Sequence, residues 1–155
     1  KAEVLGIDPD ARSIDAALQR RGPGNVTFQA VGLEDVLAGA GFDLVLAYDC
    51  IHDMTDPYGA MAMCHGLLRR ATGDSPGGVL LWFEPHGSDD PYENREILGA
   101  RMVAGIALNC VTTSMAGGGA GLGAHGCTPA RAEALARRAG FEEFRQEREL
   151  KGAKY

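Results

Sequence analysis

The chain has 155 residues, of which 45% are hydrophobic and 23% are charged. Its formal net charge is −6 and its pI is about 5.1. These values are typical of a folded domain and argue against a disordered chain. The acidic balance argues against a broad nucleic-acid surface, which needs clustered lysine and arginine. The length suits a single domain over residues 1–155.

The sequence also argues against a membrane or secreted setting. It has no apolar run of about 18 residues and no signal-peptide pattern. Its four cysteines form no CxxC pair and no regular framework, which is typical of reduced thiols in a cytoplasmic protein. A zinc site could be imagined from two cysteines and two histidines, but they fit no common ligand spacing, so the sequence predicts no metal site. These residues are Cys64, His65, His125 and Cys127.

Apolar segments and helical patterns alternate along the chain. Four segments predict strands: residues 2–7, 26–30, 42–48 and 79–84. Capping residues and turn residues mark the predicted helices. Those helices begin near Ser13, form a turn over 33–37, run from Asp56 towards Gly73, cover 91–111, and run from Thr128 through Arg138 to a cap at Gly140. Residues 143–150 could add an edge strand. This order predicts an α/β fold with a mostly parallel, doubly wound sheet between helices.

Polar residues follow the predicted strands where a ligand is expected. In an open α/β sheet, ligands bind beyond the carboxyl ends of the strands. That rule selects Asp8, the turn at 31–34, the stretch 48–53 and the segment 84–86. Asp8 could bind the hydroxyls of a ribose; alternatively, it is a turn residue before Pro9 that caps the next helix.

His52 is the strongest candidate for a catalytic base. It follows a predicted buried strand and has Asp49, Asp53 and Asp56 nearby. A carboxylate neighbour can fix the tautomer of a histidine and let it act as a base near neutral pH. Alternatively, His52 bonds to a loop carbonyl. Glu84, with His86, is a second candidate, and its alternative role is to cap a helix N-terminus.

The glycine-rich run at 117–123 is interpreted as a cover loop over the site. Cofactor loops follow a strand and open directly into a helix, whereas a predicted helix precedes this run. Met61 and Met63, with Cys64, have helical spacing and are interpreted as packing residues.

Several short motifs, in this order, resemble those of class I S-adenosylmethionine-dependent methyltransferases. Residues 4–8 (VLGID) resemble the second strand of that family, which ends in an acidic residue that binds the cofactor ribose. Residues 42–45 (FDLV) followed by 51–53 (IHD) resemble its fourth strand and the loop after it. Residues 76–81 (PGGVLL) resemble the segment leading into the fifth strand, and 139–141 (AGF) the one before the sixth.

One branch of this family is more similar. Residues 50–57 (CIHDMTDP), then Glu84-Pro85 and a Gly-Leu-Gly stretch before the final helix, resemble bacterial methyltransferases that carry an N-terminal winged-helix segment. The resemblance implies a Rossmann-like fold and methyl transfer from S-adenosyl-L-methionine to a small-molecule acceptor. For this reaction the catalytic candidates are His52, Asp53 and Glu84, as their positions after the predicted strands suggest. The implied cofactor-binding residues are Asp8, Pro9, Gly32, Leu33, Tyr48 and Asp49.

The sequence departs from the family pattern in three respects. If the resemblance holds, residues 4–8 are the second strand, so we expect the given sequence to lack the first strand and its G-x-G-x-G loop. Gly32 stands where many relatives have an aspartate for the adenine, with Glu34 or Asp35 as substitutes. Only residues 154–155 remain for the seventh strand. We therefore expect a sheet that lacks the first strand and most of the seventh, in a fragment, a processed chain or a protein with an unseen N-terminus.

Two other functions are compatible with these residues. An NAD(P)-binding oxidoreductase shares the acidic strand end, although no Tyr-x-x-x-Lys pattern is present. A methyltransferase remnant without catalysis could serve as a binding or regulatory module. A homodimer is compatible with the sequence, and no nucleic-acid or membrane partner is expected through this segment.

Overall fold

The computed structural model describes residues 2–20, 22 and 24–147. Its strands are β1 (Val4–Ile7), β2 (Val26–Gln29), β3 (Leu44–Tyr48) and β4 (Val79–Phe83). Its helices are α1 (Ala11–Gln19), α2 (Pro57–Leu67), α3 (Pro91–Leu98), α4 (Ala100–Leu108), α5 (Cys110–Ala116) and α6 (Pro129–Ala139). Three short 3₁₀ turns lie at Leu33–Asp35, Ile51–Asp53 and Ala124–Gly126. All four predicted strands are present, and the α/β class agrees with the prediction.

The strands pair in two parallel sets. β1 pairs with β2, with Val4 opposite Val26, and β3 pairs with β4, with Leu44 opposite Val79. Within residues 2–20, 22 and 24–147 these form two separate two-stranded sheets. The parallel pairing is compatible with the predicted Rossmann-like sheet, but the single continuous sheet is not seen.

One side of β3 is left uncovered by the described part of the chain. Its alternate residues Leu44, Leu46 and Tyr48 are 54%, 59% and 61% exposed, although all three are large and apolar. Residues 2–5, at the start of the first sheet, and Phe42, just before β3, are among the residues that line one cavity of about 560 Å³. This cavity therefore lies between the first sheet and the segment that leads into β3.

The main core lies on the other side of β3. Its buried residues come from β3, the 51–53 turn, α2 and α6, and they are Ala47, Ile51, Ala60, Met61 and Ala136. α2 contributes most because its buried positions recur at helical spacing over two turns, as in a helix with one apolar face. This packing holds the 51–53 turn, and with it His52, against α2.

Local capping chemistry explains where the helices begin. The side chain of Asp56 accepts a hydrogen bond from the backbone N–H of Gly59 at 2.9 Å, and Pro57 occupies the first helical position, as predicted. α2 ends at Leu67, well before the predicted end at Gly73, because Leu68 is extended. The prediction that Ser13 caps α1 is wrong. Asp10 is the cap, and the hydroxyl of Ser13 donates to its carboxylate.

The single long helix predicted over 91–111 is also wrong. Gly99 adopts φ 77°, a left-handed conformation that glycine tolerates at little cost, and it separates α3 from α4. Asn109 separates α4 from α5. No single helix in the described residues is both long and apolar enough to cross a membrane; α3 with residues 100–116 meets those criteria only across a 113° bend.

The C-terminal helix agrees with the prediction. Thr128 caps α6 through its side chain, and Gly140 ends it with φ 107°. The predicted edge strand at 143–150 is not formed over residues 143–147. Its last three residues, and residues 154–155 assigned to a seventh strand, lie outside the described residues.

Met61 and Met63 provide a matched test of the core. Met61 is fully buried and Met63 is 38% exposed in the same helix. We expect Met61→Ala to lower the free energy of unfolding by about 2–5 kcal/mol, because it leaves a cavity. Met63→Ala should change it by no more than about 0.5 kcal/mol. Urea denaturation followed by circular dichroism measures both, and equal losses would contradict this description of the core.

Candidate active site

A cleft lies at the carboxyl ends of β3 and β4. The parallel register sets Tyr48 opposite Phe83, so the residues that follow each strand emerge side by side. The cleft has a volume of about 220 Å³ and is lined by Tyr48, Asp49, Phe83, Glu84 and Pro85. As the strand-end rule predicted, the structure brings Tyr48, Asp49 and Glu84 together at this edge of the sheet. That they bind or act on a ligand stays a prediction.

Asp49 turns the chain sharply at the end of β3. It has φ 51° and is the single non-glycine residue with a left-handed backbone among the described residues. Such a conformation costs about 1–3 kcal/mol and persists where surrounding contacts enforce it. Here the backbone N–H of Asp49 donates to the carbonyl of Phe83 at 2.9 Å. The turn leads directly into the 51–53 segment and leaves the Asp49 carboxylate 3.8 Å from Nδ1 of His52.

The carboxylate of Glu84 connects the end of β4 to the 51–53 turn. Its Oε1 accepts the backbone N–H of Ile51 at 3.1 Å and the indole N–H of Trp82 at 2.8 Å. Its Oε2 is hydrogen-bonded to Nδ1 of His52. Glu84 therefore caps the start of the turn, as its alternative role required, and also orients the imidazole. The exposed His86 has no place in this network.

His52 is buried, with 2% of its surface exposed. Burial alone would lower the pKa of His52, but the hydrogen bond and negative charge of Glu84, followed by the charges of Asp53 and Asp49, outweigh it. The pKa of His52 is therefore raised above its usual value of 6.5. The second ring nitrogen, Nε2, lies 3.1 Å from Oδ1 of Asp53. Nδ1 is committed to Glu84, which leaves Nε2 as the atom available for chemistry.

Cys110 is a site residue that the sequence interpretation missed. It is the first residue of α5, and its thiol, an imidazole nitrogen of His52 and a carboxylate oxygen of Asp53 all lie within 4.8 Å of one another. Burial, and then the adjacent Asp53, raise the pKa of this thiol. No spacing rule links a cysteine to a histidine so far away in the sequence. The helix breaks at Gly99 and Asn109 precede α5, which packs against the 51–53 turn.

The glycine-rich segment lies directly on this turn. The backbone N–H of Gly123 donates to the carbonyl of His52 at 3.2 Å. A Cβ on Gly119 would lie 2.5 Å from the carbonyl oxygen of Thr55, so only glycine permits this approach. The run follows α5 and leads into a 3₁₀ turn, which agrees with the prediction of a cover and not with a cofactor loop that follows a strand.

The other predicted cofactor residues lie outside the cleft. Asp8 and Pro9 follow β1, where Oδ1 of Asp8 accepts the backbone N–H of Asp10 at 2.8 Å. Gly32 and Leu33 lie at the first 3₁₀ turn. That these four residues share one crevice with His52 stays a prediction.

Comparison with known proteins assigns the family. Residues 1–80 match the family described as "Methyltransferase domain", which is more than half of the chain. Over 82 residues the chain is 28% identical to the ubiquinone biosynthesis O-methyltransferase of Bradyrhizobium sp. (strain ORS 278). This match covers 52% of the chain and 30% of that relative.

The parallel strands, the strand-end cleft and the family match together define a methyltransferase domain. The chain belongs to the class I S-adenosylmethionine-dependent methyltransferases.

The pKa of His52 depends on Glu84. In Glu84→Gln the carboxylate is lost while the burial remains, so we expect His52 to titrate at a lower pH than in the wild type. NMR titration of the imidazole resonances measures this shift. Glu96→Gln, a substitution at an exposed glutamate on α3, is the matched control and should leave the titration unchanged.

The same pKa shift predicts a pH dependence of stability. The pKa of His52 is higher in the folded protein than its unfolded value of about 6.5. His52 therefore contributes its full stabilisation at pH values below about 6.5, and this contribution is lost as the pH rises through the folded-state pKa. The free energy of unfolding should fall over that window in the wild type and fall less in Glu84→Gln. Parallel curves for the two proteins would contradict the role given to Glu84.

Proposed function

We propose that this domain transfers a methyl group from S-adenosyl-L-methionine to an oxygen of a small-molecule acceptor. The observation that carries the proposal is a buried histidine, held at Nδ1 by Glu84, next to a cleft at the carboxyl ends of two parallel strands. Family membership supports methyl transfer, and the name of the Bradyrhizobium relative supports oxygen as the acceptor atom.

The residues present suit the nucleoside half of this cofactor. A carboxylate at the end of a parallel strand, here Asp8, can accept both hydroxyls of a ribose. We assign the adenine surroundings to the turn at Gly32 and Leu33, where the Asp35 carboxylate already accepts the backbone N–H of Gly32 at 3.2 Å. Tyr48 and Asp49 would contact the cofactor from the cleft. When bound, the cofactor supplies an electrophilic methyl group on its sulfonium.

In the proposed mechanism, His52 removes the proton from the acceptor. The acceptor hydroxyl donates to Nε2 of His52, and its proton moves to that nitrogen as the oxygen is methylated. Glu84 keeps the other ring proton on Nδ1 and stabilises the imidazolium that forms. The Asp53 oxygen beside Nε2 gives the imidazolium a second negative neighbour. In this role Asp53 and Glu84 orient and stabilise the base.

The segment from α3 to the glycine-rich run supports a small, partly apolar acceptor. Met102, Leu108 and Met115 are 53%, 79% and 58% exposed on these helices, and α5 packs against the 51–53 turn. Such side chains suit a pocket that excludes water around a few polar groups.

We place this activity in an intact parent protein. The exposed apolar residues of β3 and the cavity between the two sheets support a further strand there, with the glycine-rich loop that the family uses for the methionine end. We further propose a cytoplasmic setting, with a homodimer as the form to test first. A non-catalytic remnant is the alternative, and a parent protein that binds no donor would favour it.

Asp8 tests the donor site. Asp8→Ala should weaken S-adenosylhomocysteine binding by the parent protein about tenfold or more, because a bidentate ribose contact is lost. Isothermal titration calorimetry measures the dissociation constant, with Asp15→Ala, on the exposed side of α1, as the control. A parallel titration with NAD tests the oxidoreductase alternative, since NAD binding without S-adenosylhomocysteine binding would overturn the proposal.

His52 tests the base. His52→Gln should lower kcat about 10²–10⁴-fold for phenolic acceptors, with little change in S-adenosylhomocysteine affinity. Transfer of radiolabel from the methyl donor to a panel of phenols and catechols gives the rate. In the wild type, kcat should rise with pH through the raised pKa of His52, because the base must be neutral. His86→Gln is the matched control, and an unchanged rate in His52→Gln would remove the base role.

A further inference from the structure

Three potential metal ligands from two separate elements lie close together, and one of them is His52, the proposed catalytic base. His52 and Asp53 come from the 51–53 turn, and Cys110 comes from the first residue of α5. Their ligand atoms, an imidazole nitrogen, a carboxylate oxygen and Sγ, lie within 4.8 Å of one another. The distance from Nε2 to Oδ1 of Asp53 is 3.1 Å, which is close to the separation of two ligands bound at about 2.0–2.1 Å to one tetrahedral ion.

One oxygen of the Asp53 carboxylate is not satisfied by a hydrogen bond from the part of the chain that the structure describes. Oδ1 of Asp53 is buried and has no hydrogen-bond partner within the described residues. A buried polar atom without a partner carries a desolvation cost and calls for an explanation. When His52 is neutral, Nε2 and Oδ1 both present lone pairs to the same small space. A cation between them would satisfy both.

The surroundings of His52 are those of a histidine that binds a metal. Metal-bound histidines usually donate the other ring N–H to a carboxylate, which fixes the tautomer and raises the basicity of the ligating nitrogen. Glu84 accepts from Nδ1 and is itself fixed by the Trp82 indole and the Ile51 backbone. The hydrogen bonds that would orient a metal-bound His52 are therefore already formed by Glu84.

The donor atoms select the kind of ion. Magnesium and calcium prefer oxygen ligands, whereas thiolate with imidazole and carboxylate suits zinc. Three protein ligands leave a fourth position open for water or another small ligand. We propose that His52, Asp53 and Cys110 bind one zinc ion. Binding releases the Cys110 proton to solvent and forms bonds from the ion to Sγ, Nε2 and a carboxylate oxygen.

Zinc at this position would regulate the proposed reaction. A bound zinc ion occupies the lone pair of Nε2 that would otherwise take the proton from the hydroxyl of the methyl acceptor. A zinc-bound domain therefore cannot use His52 as a base. This regulatory part rests on the proposed function, whereas zinc binding itself does not. The proposal departs from the sequence-based expectation of no metal, because Cys110 reaches the site only through the folding of α4 and α5.

Cobalt(II) substitution tests the site independently of activity. One equivalent of Co²⁺ added to the reduced protein should give thiolate-to-cobalt charge-transfer absorption and the visible bands of a tetrahedral ion. Zinc should abolish both by competition. Cys110→Ser should lose the charge-transfer band and bind zinc at least about tenfold to a hundredfold more weakly, and Glu84→Gln about tenfold more weakly. Cys64→Ala, on the buried face of α2, is the control and should keep the cobalt spectrum.

The results separate the two proposals. Circular dichroism confirms that the variants are folded, and Cys110→Ala repeats the test should the serine variant unfold. Charge-transfer absorption that survives in both Cys110 variants, or wild-type protein that takes up no stoichiometric cobalt, would overturn the zinc site. A cobalt spectrum that follows these expectations in a protein without methyl transfer would overturn the proposed function alone. In an active parent protein, inhibition by zinc that persists in Cys110→Ser would overturn the regulatory part.

Discussion

The carboxylate of Glu84 ties the two halves of the site together, and the position of His52 depends on it. It receives hydrogen bonds from Trp82, from the backbone of Ile51 and from the imidazole, so one side chain joins β4 to the turn after β3. α2 also packs against this turn, through Met61. Because both sides are fixed, the imidazole is held in one orientation before any ligand arrives, which is the preorganisation that proton transfer requires.

Features decided by neighbouring residues could be predicted from the sequence. The start of α2 at Asp56 and the cap at Gly140 follow from local hydrogen bonding and backbone conformation. Where two nearby residues could both cap a helix, it was harder to predict which of them does so. Asp10 caps α1 in place of Ser13, because its carboxylate receives both a backbone N–H and the serine hydroxyl. Gly99 fits within a helical pattern, and its left-handed conformation appears only in the folded structure.

In the candidate site, too, some features could be predicted from the sequence and others depend on the folded structure. The sequence could predict that Asp49 and Glu84 lie close together because parallel strands end at a common edge, which is a property of the fold class. The distances that give them roles depend on tertiary packing, as does the approach of Cys110 to Asp53. Strand order depends on hydrogen bonds between distant segments, and apolar periodicity predicts strands without predicting which of them are neighbours. The division into two sheets was therefore beyond the sequence alone.

The division into two sheets has a consequence for local stability. In the described residues up to 30, Ile14 is the single buried side chain, whereas the main core draws on residues 47–136. A two-stranded sheet is marginally stable by itself. The amide hydrogens of β1 and β2 should therefore exchange with solvent through local opening, at a lower free energy than those of β3. A ligand that contacts Asp8 and the cleft together must suppress this opening, so part of its binding free energy is spent on ordering the first strand pair.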